Sequence, residues 1–467
     1  MRTSNRCLLA GFGLWVLLGA SSFAADFVVD AVDKGVPHDG VTDATDALQS
    51  VMDTCADRGG GIVRLPTGDY IFRGHLEIPS NVTLQGVFCA PSAWSQGSGT
   101  TMNVFEGRGT EDGPPFILLS ENATLEGVTI FYPEQGDETI VAYPWCVAGN
   151  GRDNVSVQDC LLVNPYQAID LASRNSGRHL ISRVYGYPLR RGISVDKCYD
   201  VGRIDNVHFW PFWEGALSGP VARYVQANGE AFIFGRTDWQ YVLNTFCFGY
   251  RAGYRFVETP DGTCNGNFLG IGADSANIAV QVDQCSPIGL QIANGEFVAF
   301  AGDNPAELVV DAANIGTILF SNCSFWGGAS NCARIAGKGF ASFQQCNFLE
   351  WDAGKKGDAC IQTTGGRLTV NACRFEQPKL AIDIKEGTQG AIITSNLFGK
   401  AKAVHIAGCV PVEMGDNADT GEDDKSLVSG GSLGAPDDAN RPKDSPIPVL
   451  GMCAALIGMS RRRAAGC

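Results

Sequence analysis

The chain has 467 residues, 45% of them hydrophobic and 18% charged, with 58 Gly, 17 Cys and a formal charge of −15. That length can bury a large core, and so little charge excludes a disordered chain. The acidity excludes a nucleic-acid partner, since nothing would neutralise phosphates, and glycine without a G-X-Y period excludes collagen and asks for many tight turns.

The first predicted element is an address. Arg2 and Arg6 flank the start, an apolar run follows from Cys7 to Leu18, and Ser22-Phe23-Ala24 offers small residues for cleavage. Residues 1–25 read as a secretory signal. The mature chain then opens on a helix. Asp43 stands at its N-cap, Ala44, Ala47, Leu48, Val51, Met52 and Cys55 recur at helical spacing, and Gly59-Gly60-Gly61 ends it. Residues 62–65, Pro66-Thr67-Gly68 and 69–72 read as strand, turn and strand.

From there a short unit repeats: a strand ending in a small or polar residue, then an apolar one. It occurs at 155–162, 204–209, 318–325, 341–348, 368–375 and 392–398, and Phe325, Phe348, Phe375 and Phe398 fall 23, 27 and 23 residues apart. A second strand follows about nine residues later, at 168–171, 192–195, 381–384 and 403–406. Short strands on such a period, rich in Val and Ile and without interior helices, predict a parallel β-helix whose like residues stack coil on coil. One domain is expected over 26–415. Cys160, Cys323, Cys346 and Cys373 share one place in the repeat and are expected as packed thiols, while Cys264 and Cys285, on loops, are the disulfide candidates. No Cys/His group has zinc spacing.

The least repetitive stretch, 205–241, reads as a long excursion from the coil, the place where solenoids build binding faces. Glu214 and Asp238 are the first acid/base candidates, Glu230 the next, and His208 is either a proton shuttle or a hydrogen-bonded structural residue. Trp210, Trp213 and Trp239, with Tyr241, would stack on sugar faces or form a satellite core. Among the clustered arginines, Arg190 and Arg191 would fork onto the carboxylates of an acidic polysaccharide; ion pairing with Asp196, Asp200 and Asp205 is the other reading.

The end of the chain has three parts. Residues 416–445 hold eight acids against three bases and read as a solvated linker. Pro446-Ile447-Pro448, an apolar run from Val449 to Met459 too short to span a bilayer, and Arg461-Arg462-Arg463 follow. This tail, 446–467, resembles bacterial PEP-CTERM sorting signals, which implies envelope sorting machinery as a partner and a secreted or envelope-associated location.

Residues 35–46 (GVPHDGVTDATD), the helix, and 59–86 (GGGIVRLPTGDYIFRGHLEIPSNVTLQG) resemble the opening module of the pectate-lyase superfamily, in its rhamnogalacturonase/epimerase-like, polygalacturonase-related branch. The resemblance implies an all-β, single-stranded right-handed parallel β-helix of pectin-lyase-like type with an N-terminal capping helix. It implies hydrolysis or β-elimination of a complex, acidic polysaccharide, or else non-catalytic glycan binding or surface adhesion. Ca²⁺ would be a cofactor if the chemistry were elimination; otherwise none is expected. The assembly expected is a monomer or a trimer. The polygalacturonase carboxylates are missing: the corresponding strands begin Gln167-Ala168-Ile169, Arg191-Gly192-Ile193 and Ala252-Gly253-Tyr254.

Overall fold

The computed structural model describes residues 27–95, 98–136, 139–213 and 219–420. The expected signal, most of the acidic linker and the tail lie outside the described residues. Three long parallel sheets, of fifteen, fifteen and thirteen strands, wrap one core. Each coil visits them in turn, so the strands of a sheet come from successive coils, as in a right-handed parallel β-helix.

The corner between the first and second sheets is a single residue in the left-handed region. Asn206, Asn244, Asn294 and Asn322 take it with φ of 51–55°, and Gln345, Ala372 and Ser395 take it on later coils. Asparagine tolerates this conformation better than other non-glycine residues, which explains its recurrence after the first-sheet strands. Inside that corner, side chains of one coil hold backbone amides of the previous one. The amide of Cys346 donates to Cys373 Sγ at 3.4 Å, that of Cys373 to Asn396 Oδ1 at 2.9 Å, and that of Asn396 to Asn417 Oδ1 at 2.9 Å. The four repeat-position cysteines are therefore buried thiols, as their spacing predicts. Cys264 and Cys285, the disulfide candidates, are also unpaired and buried. Cys264 Sγ accepts from Thr237 Oγ1 at 3.0 Å and Cys285 Sγ donates to Asn314 Oδ1 at 3.4 Å, so each thiol already has a polar partner within the wall.

The phenylalanine series stacks as expected, with ring centroids 4.8 Å (Phe325–Phe348), 4.7 Å (Phe348–Phe375) and 5.1 Å (Phe375–Phe398) apart. These spacings match the distance between neighbouring strands, so each ring covers the next and water is excluded along the axis. The helix Thr45–Asp57 buries Leu48, Val51, Met52 and Cys55 over the first coil. Asp43 Oδ1 accepts from the Thr45 amide at 3.0 Å and from the Arg73 amide at 3.3 Å, tying the helix start to the next corner. At the helix end Gly60 has φ 112°, and a Cβ there would sit 2.4 Å from the Asn81 carbonyl oxygen. Only glycine fits.

Two expectations need correction. A nine-residue helix, Pro220–Asn228, interrupts the middle coils, started by Pro220 at its first turn. Among the described residues the last strand is Ala418–Asp419, so the coil runs past 415 into the predicted linker.

Candidate functional site

Alternation along the short second-sheet strands decides what faces solvent. Phe209, Cys247, Ala273, Phe297 and Phe325 point inward and are at most 1% exposed. Their neighbours on either side therefore point outward. Register sets these in two rows along the helix axis. One runs Tyr185–His208–Phe246–Gly272–Glu296–Ser324. In the other, Phe248 is opposite Asp274 and Val298 is opposite Trp326, with the Trp210 ring tilted against Phe248 at 4.2 Å between centroids.

The N-terminal half of this face is aromatic. His208 lies 5.0 Å from Phe246 and 5.2 Å from Phe212, and Trp213 is 6.0 Å from Trp94, which meets Phe131 at 5.1 Å. All are half-buried, so edges and faces remain open to solvent. Trp213 Nε1 donates to Asn164 Oδ1 at 2.9 Å. Burial among these rings holds the imidazole of His208 below its ordinary pKa, and its Nε2 has no partner. The ring packs among aromatics and lacks, at Nε2, the hydrogen bond of its structural reading.

Where the aromatic rows end, a groove of about 380 Å³ opens, walled by Phe246 and Trp326 and rimmed by Asn244 and Asn294. Its floor is Gly272, buried beside the Phe246 ring; a Cβ there would lie 3.1 Å from that ring. Two carboxyl groups project into it, Asp274 and Glu296. Burial raises the Asp274 carboxyl above the ordinary aspartate range; hydrogen bonds from the Ser275 amide and hydroxyl offset only part of this. Glu296 is solvent-exposed. Gly272 is in register with Glu296, which makes Asp274 and Glu296 diagonal neighbours on adjacent strands. A larger hollow of about 710 Å³ lies over the last coils of the first sheet, between Phe340, Arg367, Ile392 and Val412, but holds a single carboxylate, Glu413.

The predicted site residues do not gather. The stretch 205–241 is a full turn of the helix with one loop, so its residues are dealt to three faces. His208, Trp210 and Trp213 lie on the second-sheet face beside the groove. Glu214 follows Trp213 and lies outside the described residues. Asp238, Trp239 and Tyr241 belong to the first-sheet strand Thr237–Leu243, where Trp239 is 58% exposed and Asp238 pairs with Arg236 at 3.9 Å. Glu230, Arg190 and Arg191 sit at the third sheet and are occupied internally. Glu230 is 5% exposed and is held by Arg251 and, at 2.8 Å, by Arg255, which also binds Asp283 at 2.7 Å. Arg190 donates to the Asn228 carbonyl at 2.7 Å, ending the short helix, and Arg191 pairs with Glu111 at 3.2 Å.

Asp274 and Glu296 escaped the sequence reading, although a signal existed. Glu296 precedes Phe297 as Ser324, Asn347, Arg374 and Leu397 precede the stacked phenylalanines, a position that always faces out. As for Ca²⁺, no group of three or more His, Cys, Asp or Glu among the described residues is arranged to hold a metal ion. The pair in the groove does not supply the many-oxygen shell calcium takes.

Comparison with known proteins bears mainly on the N-terminal quarter. Residues 28–145 match the family described as Rhamnogalacturonase A/epimerase, pectate lyase-like. The match ends well before the groove. A Penicillium expansum protein, the non-secreted LysM effector LysM19, is 42% identical over 69 residues, which span 15% of this chain and 5% of that protein. Among solved structures, the N-terminal fragment of bacteriophage Phi29 gene product 12 aligns with a TM-score of 0.59 at 12% identity, covering 84% of this chain and 70% of that one. The pre-mature form of the same phage protein aligns with a TM-score of 0.58 at 13% identity, over 84% of this chain and 56% of that one. At such identities the likeness is one of fold.

Proposed function

We propose that this is an exported, carbohydrate-active β-helix protein that hydrolyses glycosidic bonds in the second-sheet groove. The observation that carries the reading is the pair Asp274 and Glu296 at the end of a continuous aromatic face. Aromatic rings cover the apolar faces of sugars, so Phe246 and Trp326 would clamp the units on either side of the bond. Asp274, whose hold on a proton burial strengthens, would give that proton to the leaving oxygen. Glu296, open to water, would take a proton from the water whose oxygen attacks the anomeric carbon as the glycosidic C–O bond breaks.

Elimination is less well served, since it calls for basic side chains beside a uronate, and no Lys or Arg among the described residues lines the groove. The pectate lyase-like match over residues 28–145 supports a polysaccharide as the substrate class. The signal-like start and the sorting-type tail support export to the envelope or beyond.

The test is a glycan panel read by new reducing ends and by unsaturated-uronate absorbance. Reducing ends alone, lost in both Asp274→Asn and Glu296→Gln, bear the proposal out. Unsaturated products, or turnover retained in both variants, reject it. Binding without turnover, sensitive to Trp326→Ala, would instead make the face a glycan-adhesion surface.

A further inference from the structure

From the same groove we infer a substrate class: its glycan carries no carboxylates where it crosses Asp274 and Glu296. This rests on the functional reading above and departs from the acidic polymer expected from the sequence. Among the described residues, the lining of the groove contains two carboxyl groups and not one Lys or Arg. A uronate placed between Phe246 and Trp326 would lie within a few ångströms of Glu296 with nothing to neutralise it.

The arginines that could have reached it are placed or engaged elsewhere. Arg374 lies three strands farther along the Glu296 row, about 14 Å away, and is paired with Glu376. Arg251 and Arg255 hold Glu230, on the third sheet. Arg183, at the N-terminal end of the aromatic face, holds Asp159 and lies over Phe88 at 5.4 Å. What the groove does offer is aromatic faces, a floor without a side chain at Gly272 and the side-chain amides of Asn244 and Asn294 at its rim. Those groups match the C–H faces and hydroxyls of an uncharged sugar.

The experiment separates this inference from the reading beneath it. Full-length Asp274→Asn, which lacks the proposed acid but keeps the Glu296 charge, is checked for native circular dichroism and titrated with galacturonan, with the same polymer after its carboxyl groups are reduced to alcohols, and with a panel of neutral glycans. Retention of neutral glycans, with carboxyl-reduced galacturonan bound at least about tenfold tighter than galacturonan itself and little affected by salt, is the expected result. Tighter binding of the acidic polymer, weakening as salt rises, overturns the substrate class but leaves the site standing, provided Trp326→Ala still weakens it. Failure to bind any neutral glycan also overturns the substrate class. Binding indifferent to both Trp326→Ala and Gly272→Leu overturns the groove as the site, and the functional reading with it.

Discussion

The outer faces of the second and third sheets both carry carboxylates, and the contrast between them separates chemistry from scaffolding. On the third sheet Glu230 is buried and gripped by Arg251 and Arg255, with Arg255 handed on to Asp283. On the second, Asp274 is half-buried with Ser275 as its hydrogen-bonding neighbour, and Glu296 faces water. A carboxylate locked between two guanidinium groups holds the wall together; one raised by burial and left without a cation is poised to give up a proton.

The contrast is sharpest in turnover. Asp274→Asn and Glu296→Gln are each expected to lower kcat by about 10²–10⁴-fold with little change in Tm, measured by reducing-end release and calorimetry. Because Asp274 acts as an acid with a raised pKa, activity should fall as pH rises through that value, and this alkaline limb should vanish in Asp274→Asn. Glu230→Ala should do the opposite. It leaves Arg251 and Arg255 without their buried partner and costs about 3–5 kcal/mol of stability, seen in urea unfolding, while turnover per folded molecule persists. Equal losses of activity in the two experiments would erase the distinction between the faces.

A smaller effect comes from Glu307, also in the third sheet, fully buried and without an ion-pair partner among the described residues. Burial, helped by the neighbouring Cys332, raises its pKa well above the usual value. A folded pKa above the unfolded one means that stability is greatest at low pH and declines as pH climbs towards the folded value. Glu307→Met should remove that decline and add about 1–3 kcal/mol at neutral pH, read from Tm across a pH series. Least of all is expected of Asp238→Asn. Its exposed side chain on the first sheet should shift stability by under about 0.5 kcal/mol and leave turnover intact, checked by the same two assays.

Much of the fold was legible. The phenylalanines at 325, 348, 375 and 398 announced stacked coils because a β-helix repeats its core position once per turn, and the stacked rings are there. The amphipathic spacing from Leu48 to Cys55 announced the cap over the first coil. The site was less legible. Glu230 and Asp238 are eight residues apart, yet one lies on the third sheet and the other on the first. Asp274 and Glu296, 22 residues apart, project into one groove. Proximity in sequence was the wrong guide, because a chain wound in three sheets changes face every few residues.

Local chemistry in the sequence thus determined the coil, its cap, its asparagine corners and its buried thiols, since each depends on a side chain and its nearest repeats. Only the tertiary structure decided which carboxylates meet. That depends on register between coils, and a shift of one residue would turn Asp274 and Glu296 from the groove into the core.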